Sequence, residues 1–132
     1  MSCGLCAFPS TWGSELPQDI PVTFRDCGMV NAFWDTDAKA LTLCYEFIQI
    51  YNTGYEEVMG EESVFLAGAD RDMVLTGTTL FIMMHELGHG FIDRFALPVT
   101  GREEDAVDQF AALMLIDADE KGTPVLEPHL SG

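Results

Sequence analysis

The chain has 132 residues, 48% of them hydrophobic, and sets 22 acids against six bases for a formal net charge of −16. That size and apolar content predict a single globular domain built around one core. The charge excludes nucleic-acid phosphates as partners, since these require clustered Lys and Arg, and it disfavours anionic membrane surfaces; solubility accounts for the acidity, with attraction of cations or basic substrates as the functional alternative.

Residues 1–19 are rich in Gly, Pro and Ser without periodicity and read as an irregular N-terminal arm. The opening Met1-Ser2-Cys3-Gly4 lacks the basic and apolar regions of a secretory signal. Cys3 and Cys6 form a C-x-x-C to which the sequence assigns no role. Ile20 to Arg25 alternates loosely around Pro21, as an edge strand does. Met29–Trp34 and Ala40–Tyr45 are two apolar-leaning runs separated by turn-forming residues, the pattern of a β-hairpin. With the turn centred on Asp35-Thr36, facing residues have numbers that sum to 71. That register sets Cys27 opposite Cys44, within disulfide reach. Two buried free thiols are the alternative. An even cysteine count with a plausible pair leans towards an oxidising compartment, secreted or periplasmic.

From Tyr45 the period changes. Phe47, Ile48, Tyr51, Tyr55 and Val58 fall at helical spacing and predict a helix over about 45–59. Gly60 to Asp72 reads as an acidic connection. A second helix is expected from Thr76 or Thr78, with a Thr as its N-cap, to Phe95, where Pro98 enforces the end. No apolar run reaches the ~18 residues of a membrane span, because Thr76, Gly77, Thr78 and Thr79 interrupt the longest candidate. Gly88 inside this helix implies close approach of another element. A third helix follows from about Arg102 to Asp117, with acids in its first turn, and residues 119–132 read as an irregular tail. The fold class is therefore α+β: a small, mostly antiparallel sheet packed on about three helices.

The second helix carries His85-Glu86-Leu87-Gly88-His89, an H-E-x-x-H motif. Positions i and i+4 stack on one helix face, so His85 and His89 can hold one Zn²⁺ between them, with Glu86 placed to act on a water at that ion. A catalytic zinc takes a third protein ligand. The short connection after Phe95 brings the third helix back antiparallel, with Glu104 and Asp108 one turn apart on the face shared with Val107, Ala111 and Met114. A carboxylate on such an inward face is costly unless it is paired or bound to metal. Glu104 is the expected third ligand, with Glu103 as the substitute, and Asp108 is expected to accept the free N–H of a ligating His. Glu103 and Asp105 are otherwise expected to face solvent. Asp93 continues the His89 stripe and either orients a ligand, pairs with Arg94 or Arg102, or is a solvated acid near the helix end.

His85-Glu86-Leu87-Gly88-His89 followed by Glu104-Asp105-Ala106-Val107-Asp108 resembles the gluzincin pattern of metallopeptidases, HExxH then E-x-x-x-D on the next helix. The run from His85 to Asp93 is similar to the active helix of thermolysin-like enzymes. Asn31-Ala32-Phe33-Trp34-Asp35, Leu43-Cys44-Tyr45-Glu46 and Gly101–Ala111 resemble, more closely, a bacterial family of putative metallopeptidases. The likeness spans about residues 25–115. It implies a minimal zincin-like catalytic domain that hydrolyses peptide bonds as an endopeptidase. One Zn²⁺ per chain would sit on His85, His89 and Glu104, Glu86 would be the general base, and Asp108 would support a ligating His. The strand over 29–34 would border the cleft and pair with an extended peptide or protein substrate. The chain departs from the thermolysin pattern in lacking a sizeable C-terminal subdomain, the source there of an oxyanion-stabilising His or Tyr. Tyr45, Tyr51, Tyr55 and His129 are the candidates for that role here. The alternative function is a zincin-fold peptide-binding or regulatory module with weak or no catalysis.

Overall fold

The computed structural model describes residues 18–60 and 71–121. Three strands, β1 (Val22–Arg25), β2 (Ala32–Asp35) and β3 (Ala40–Cys44), precede three helices, α1 (Tyr45–Gly60), α2 (Arg71–Phe95) and α3 (Glu103–Glu120). The α+β class is as expected. The sheet is mixed, in the order β1-β3-β2: β2 runs antiparallel to β3, and β1 runs parallel to it.

The hairpin register differs from the expected one. Trp34 faces Leu41 and Ala32 faces Leu43, so facing numbers sum to 75 and the turn centres on Asp37-Ala38. The cause is local. Asp35 Oδ1 accepts hydrogen bonds from the N–H groups of Asp37 and Ala38, both at 2.9 Å, and so fixes a longer turn that closes through Lys39 at φ 52°. The slip is by an even number of residues, so each side chain keeps its face. Cys27 and Cys44 are nonetheless joined in a disulfide, with Cα atoms 5.5 Å apart. The link does not cross the hairpin. Arg25 is the β3 partner of Cys44, and Cys27, two residues beyond the end of β1, turns back onto it. Glu46, in the first turn of α1, holds that return with its carboxylate, which accepts from Cys27 N–H at 3.0 Å and Gly28 N–H at 2.7 Å. Its own backbone N–H first, then those of Cys27 and Gly28, hold the Glu46 carboxyl below its ordinary range.

Leu41 and Leu43 of β3 are buried and join Trp34, Val22 and Ile20 against Met84 and Leu87 of α2 and Ala111 of α3. Apolar residues at alternate strand positions thus meet helical stripes, which is what binary patterning requires. The helix α2 begins at Arg71, before the expected Thr residues. Its first turn is tied to α1, where Asn52 Oδ1 accepts from both Arg71 Nε and Nη2. The end falls at Phe95, as expected. Ala96 adopts φ 47° and Leu97 N–H bonds to the Ile92 carbonyl at 3.1 Å, the six-to-one closure of a left-handed C-cap. The helix α3 runs to Glu120, so the first two residues of the expected irregular tail are helical. The rest of that tail and the arm before residue 18 lie outside the described residues, as do Cys3, Cys6 and His129.

The close helix pair is α2 with α3, antiparallel, and Gly88 permits it. A Cβ there would lie 2.8 Å from Val107 Cγ1 and 3.3 Å from Phe110 Cδ1. Val107 is itself fully buried. This contact sets how far the first turn of α3 stands from the motif on α2.

Candidate metal centre

Two adjacent stripes on α2 build the site. His85 and His89, one turn apart, face α3, and their rings meet edge to face with centroids 5.0 Å apart. Glu104 of α3 reaches both: its Oε2 lies 3.2 Å from His85 Nε2, and its Oε1 lies 3.5 Å from His89 Nε2. One ligand atom from each of the three residues can be chosen so that all lie within 4.8 Å of one another. The other ring nitrogens also meet carboxylates. His85 Nδ1 is 2.8 Å from Asp108 Oδ1, and His89 Nδ1 is 2.7 Å from Glu103 Oε1. An ionised carboxylate only accepts, so each Nδ1 presents its N–H to its carboxylate, and Nε2 is the ring nitrogen left to face Glu104.

The donor set fits zinc. Zinc takes imidazole nitrogen and carboxylate oxygen at about 2.0–2.2 Å, and two such ligands on one tetrahedral ion lie roughly 3.4 Å apart. The separations of 3.2 Å between Glu104 Oε2 and His85 Nε2 and of 3.5 Å between Glu104 Oε1 and His89 Nε2 are of that size. The candidate ligands His85, His89 and Glu104 are thus the residues the fold brings together, and Asp108 stands where an acceptor for His85 was expected.

Three expectations need correction. Glu104 and Asp108 are not buried: their side chains are 61% and 57% exposed. Glu104 sits in the first turn of α3, where the inward stripe looks onto an open cleft rather than onto core, so burial cost does not explain it. Glu103 does not face solvent alone, because it holds the second histidine. Two histidines need two acceptors, a requirement legible in the motif itself. Asp93 reaches neither imidazole; its Oδ2 accepts from Trp34 Nε1 at 2.9 Å and from Lys39 Nζ at 2.6 Å. Lys39 above all, then the indole N–H, keeps the Asp93 carboxyl below its usual range.

Glu86 lies on the second stripe and turns towards β2. Its Oε2 accepts the Trp34 backbone N–H at 3.0 Å. Burial pushes its carboxyl above the ordinary value, opposed in part by that N–H and by the neighbouring histidines. An acid so perturbed within a cleft is what a proton-transferring group requires. The cleft measures about 380 Å³ and is lined by β2 and its turn, by His85, Glu86, His89 and Asp93, and by Glu103 and Glu104. The ladder to β3 uses Asn31, Phe33 and Asp35, so Ala32 and Trp34 direct their N–H groups to the free edge. Both are engaged, Ala32 by the Asn31 side chain at 3.0 Å and Trp34 by Glu86, which leaves carbonyls as the outward groups of the edge.

The candidate tyrosines lie elsewhere. Tyr51 and Tyr55 line a second cavity of about 570 Å³ with Val30, Phe47, Val74 and Thr78, and Tyr45 is exposed at the start of α1. No tyrosine among the described residues lines the cleft beside His85 and His89. Cys27, Cys44 and Glu46 also cluster, but both sulfurs are in the disulfide and cannot ligate.

No helix among the described residues is long and apolar enough to cross a membrane. Among curated proteins and solved structures, none matches this chain. The model of a family described as putative metallopeptidase matches residues 10–130. That match takes in the helix motif, the carboxylates of α3 and the β2 edge together, and by it the chain belongs to the putative metallopeptidase family.

Proposed function

We propose that the protein is a zinc-dependent peptidase of gluzincin type that hydrolyses peptide bonds within peptide or protein substrates. The observation that carries this proposal is the convergence of His85 Nε2, His89 Nε2 and the Glu104 carboxylate, with Glu86 beside them on the same helix. In this proposal one Zn²⁺ per chain is held by those three residues, and Asp108 and Glu103 fix the two imidazoles through Nδ1. Bound there, zinc supplies a Lewis acid that lowers the pKa of water towards ~7 and polarises the scissile carbonyl.

The chain's own groups do the rest. Glu86 takes a proton from the attacking water as the C–O bond forms, and it returns that proton to the amine as the C–N bond breaks. With Oε2 held by Trp34 N–H, Oε1 is the oxygen available for this transfer. The outward carbonyls of β2 accept N–H groups of an extended substrate, so pairing with the edge runs in one direction only. An exchange of Glu86→Gln tests the assignment: zinc content should remain near one per chain while cleavage of an unfolded protein disappears. A zinc-free native chain would remove the proposal.

A second function has one observation in its favour. Among the described residues no tyrosine lines the cleft to stabilise an oxyanion, as a zincin-fold peptide-binding module would tolerate. Peptide binding without cleavage by the zinc-loaded native chain would select it.

A further inference from the structure

The residues from Glu86 to Asp93 contain a third pattern beside the two histidines. Glu86, Gly90 and Asp93 stand at i, i+4 and i+7, so they form one continuous stripe on α2. All three meet the same residue of β2. Glu86 Oε2 accepts the backbone N–H of Trp34 at 3.0 Å, and Asp93 Oδ2 accepts its indole N–H at 2.9 Å. Between them, a Cβ on Gly90 would lie 2.7 Å from Trp34 Cε3 and 2.8 Å from Cζ3, so only a glycine lets the ring lie flat on the helix. Lys39 closes the outer side, with its Nζ 2.6 Å from the same Asp93 oxygen.

We propose that Trp34 is the positioning residue for Glu86: the indole, seated on Gly90 and latched by Asp93 and Lys39, fixes the strand at the height where its own N–H holds one oxygen of the Glu86 carboxylate. The inference rests on the peptidase function proposed above, but the geometry it invokes can be read without any turnover.

The reasoning concerns freedom. Glu86 is on the edge of an open cleft, and a glutamate there has three side-chain torsions to fix. A single backbone N–H on an edge strand orients it only if the strand itself cannot slide. Among the described residues the strand β2 has β3 on one side and α2 on the other, so its height above the helix is set by what joins those two elements. Trp34 supplies both joints, one through its main chain and one through its ring. A carboxylate displaced by ~1 Å from its productive place loses on the order of a hundredfold in rate, so modest loosening should be visible in turnover.

The test combines exchange and kinetics. First, amide hydrogen exchange at Trp34 is measured in the metal-free chain and in the Glu86→Ala variant. The native amide should exchange at least tenfold more slowly than in the variant, and Gly90→Ala, which lifts the ring, should also speed it. Equal rates in all three would overturn the inference whether or not the protein is a peptidase. Second, Trp34→Phe keeps an aromatic side chain, smaller than the indole, and removes the indole N–H, and Lys39→Met removes only the outer latch at a half-exposed position. Trp34→Phe should lower kcat about tenfold and Lys39→Met about threefold, with KM and zinc content within twofold of native. A rise in KM or a loss of zinc with unchanged kcat would make Trp34 a structural residue only. If the native chain cleaves nothing, the peptidase proposal fails by itself, and the exchange comparison still decides the positioning role.

Discussion

Adding one methyl group at Gly88 should loosen the metal site from a distance. The new Cβ would stand 2.8 Å from Val107 Cγ1, 3.0 Å from Val107 Cβ and 3.3 Å from Phe110 Cδ1. Carbon atoms pack best at about 3.5–4.0 Å, so the overlap is roughly 0.7 Å or more. Val107 cannot swing aside, since it is fully buried and its β-branched side chain has one strongly preferred rotamer in a helix. The relief must come from α3 moving outward. Overpacking of this kind costs about 1–3 kcal/mol, while replacing a mid-helix glycine by alanine returns up to ~1 kcal/mol, so the net loss of stability is expected at about 1 kcal/mol. The larger consequence is at the first turn of α3. Glu103, Glu104 and Asp108 all ride on that helix, and disturbance of groups that orient ligands typically lowers metal affinity 10–100-fold. Zinc titration against a competing chelator should therefore show at least a tenfold weaker site in Gly88→Ala. Adding Val107→Ala, which removes the clashing carbon, should recover most of that affinity while leaving the core less stable than native. A Gly88→Ala chain that binds zinc as tightly as native would refute the argument that this contact sets the ligand spacing.

Other outcomes follow from the same geometry. Asp108→Asn and Glu103→Gln should each weaken zinc 10–100-fold without abolishing it, whereas Glu104→Ala should remove tight binding; equal effects in a chelator competition would mean the three carboxylates are not differentiated. Cys27→Ser with Cys44→Ser opens a link between residues 17 apart and should lower unfolding free energy by about 3 kcal/mol in urea, with zinc affinity little changed. Glu86 has its carboxyl raised by burial, so in the metal-free protein its contribution is most favourable below the unfolded value and declines as pH rises through the folded one. Metal-free Glu86→Gln should accordingly melt higher than native at pH 7 and no higher at pH 4. Asp93 is the opposite case: its carboxyl is depressed by Lys39 and Trp34, so its contribution is present above the unfolded value and fades as pH falls through the folded one. The melting difference between native and Asp93→Asn should therefore shrink as pH drops below the carboxylate range.

Much of this architecture was legible because its signals are local. The helical periods of α1, α2 and α3, the stop before Pro98 and the glycine that admits a neighbouring helix all lie within short windows. The spacing of His85, Glu86 and His89 carries its own geometry, and a short connection obliges Glu104 to return beside it. What escaped reading depends on pairs far apart in the chain. The register of the hairpin hinged on which N–H groups the Asp35 side chain would capture, and the parallel pairing of β1 with β3 has no local signature. The register that the sequence suggests for Cys27 and Cys44 is not the one the hairpin adopts, and the two meet because β1 ends beside Cys44. The stripe leaves Asp93 open between a ligand support, a partner of Arg94 or Arg102 and a solvated acid, because its actual partners, Trp34 and Lys39, come from a strand and turn more than 50 residues earlier. Glu103 reads only as a substitute ligand or a solvent-facing acid, because acids in a first helical turn ordinarily serve the helix dipole, and its place beside His89 Nδ1 has no separate signal.

The claim on which everything else depends is the identity of the ion and its ligands, and zinc-edge X-ray absorption on the purified native chain addresses it directly. One zinc per chain should appear, with a shell of nitrogen and oxygen scatterers at about 2.0–2.1 Å, imidazole features from two histidines, and no sulfur near 2.3 Å. A chain that carries no zinc, or a zinc whose shell contains sulfur, would contradict it.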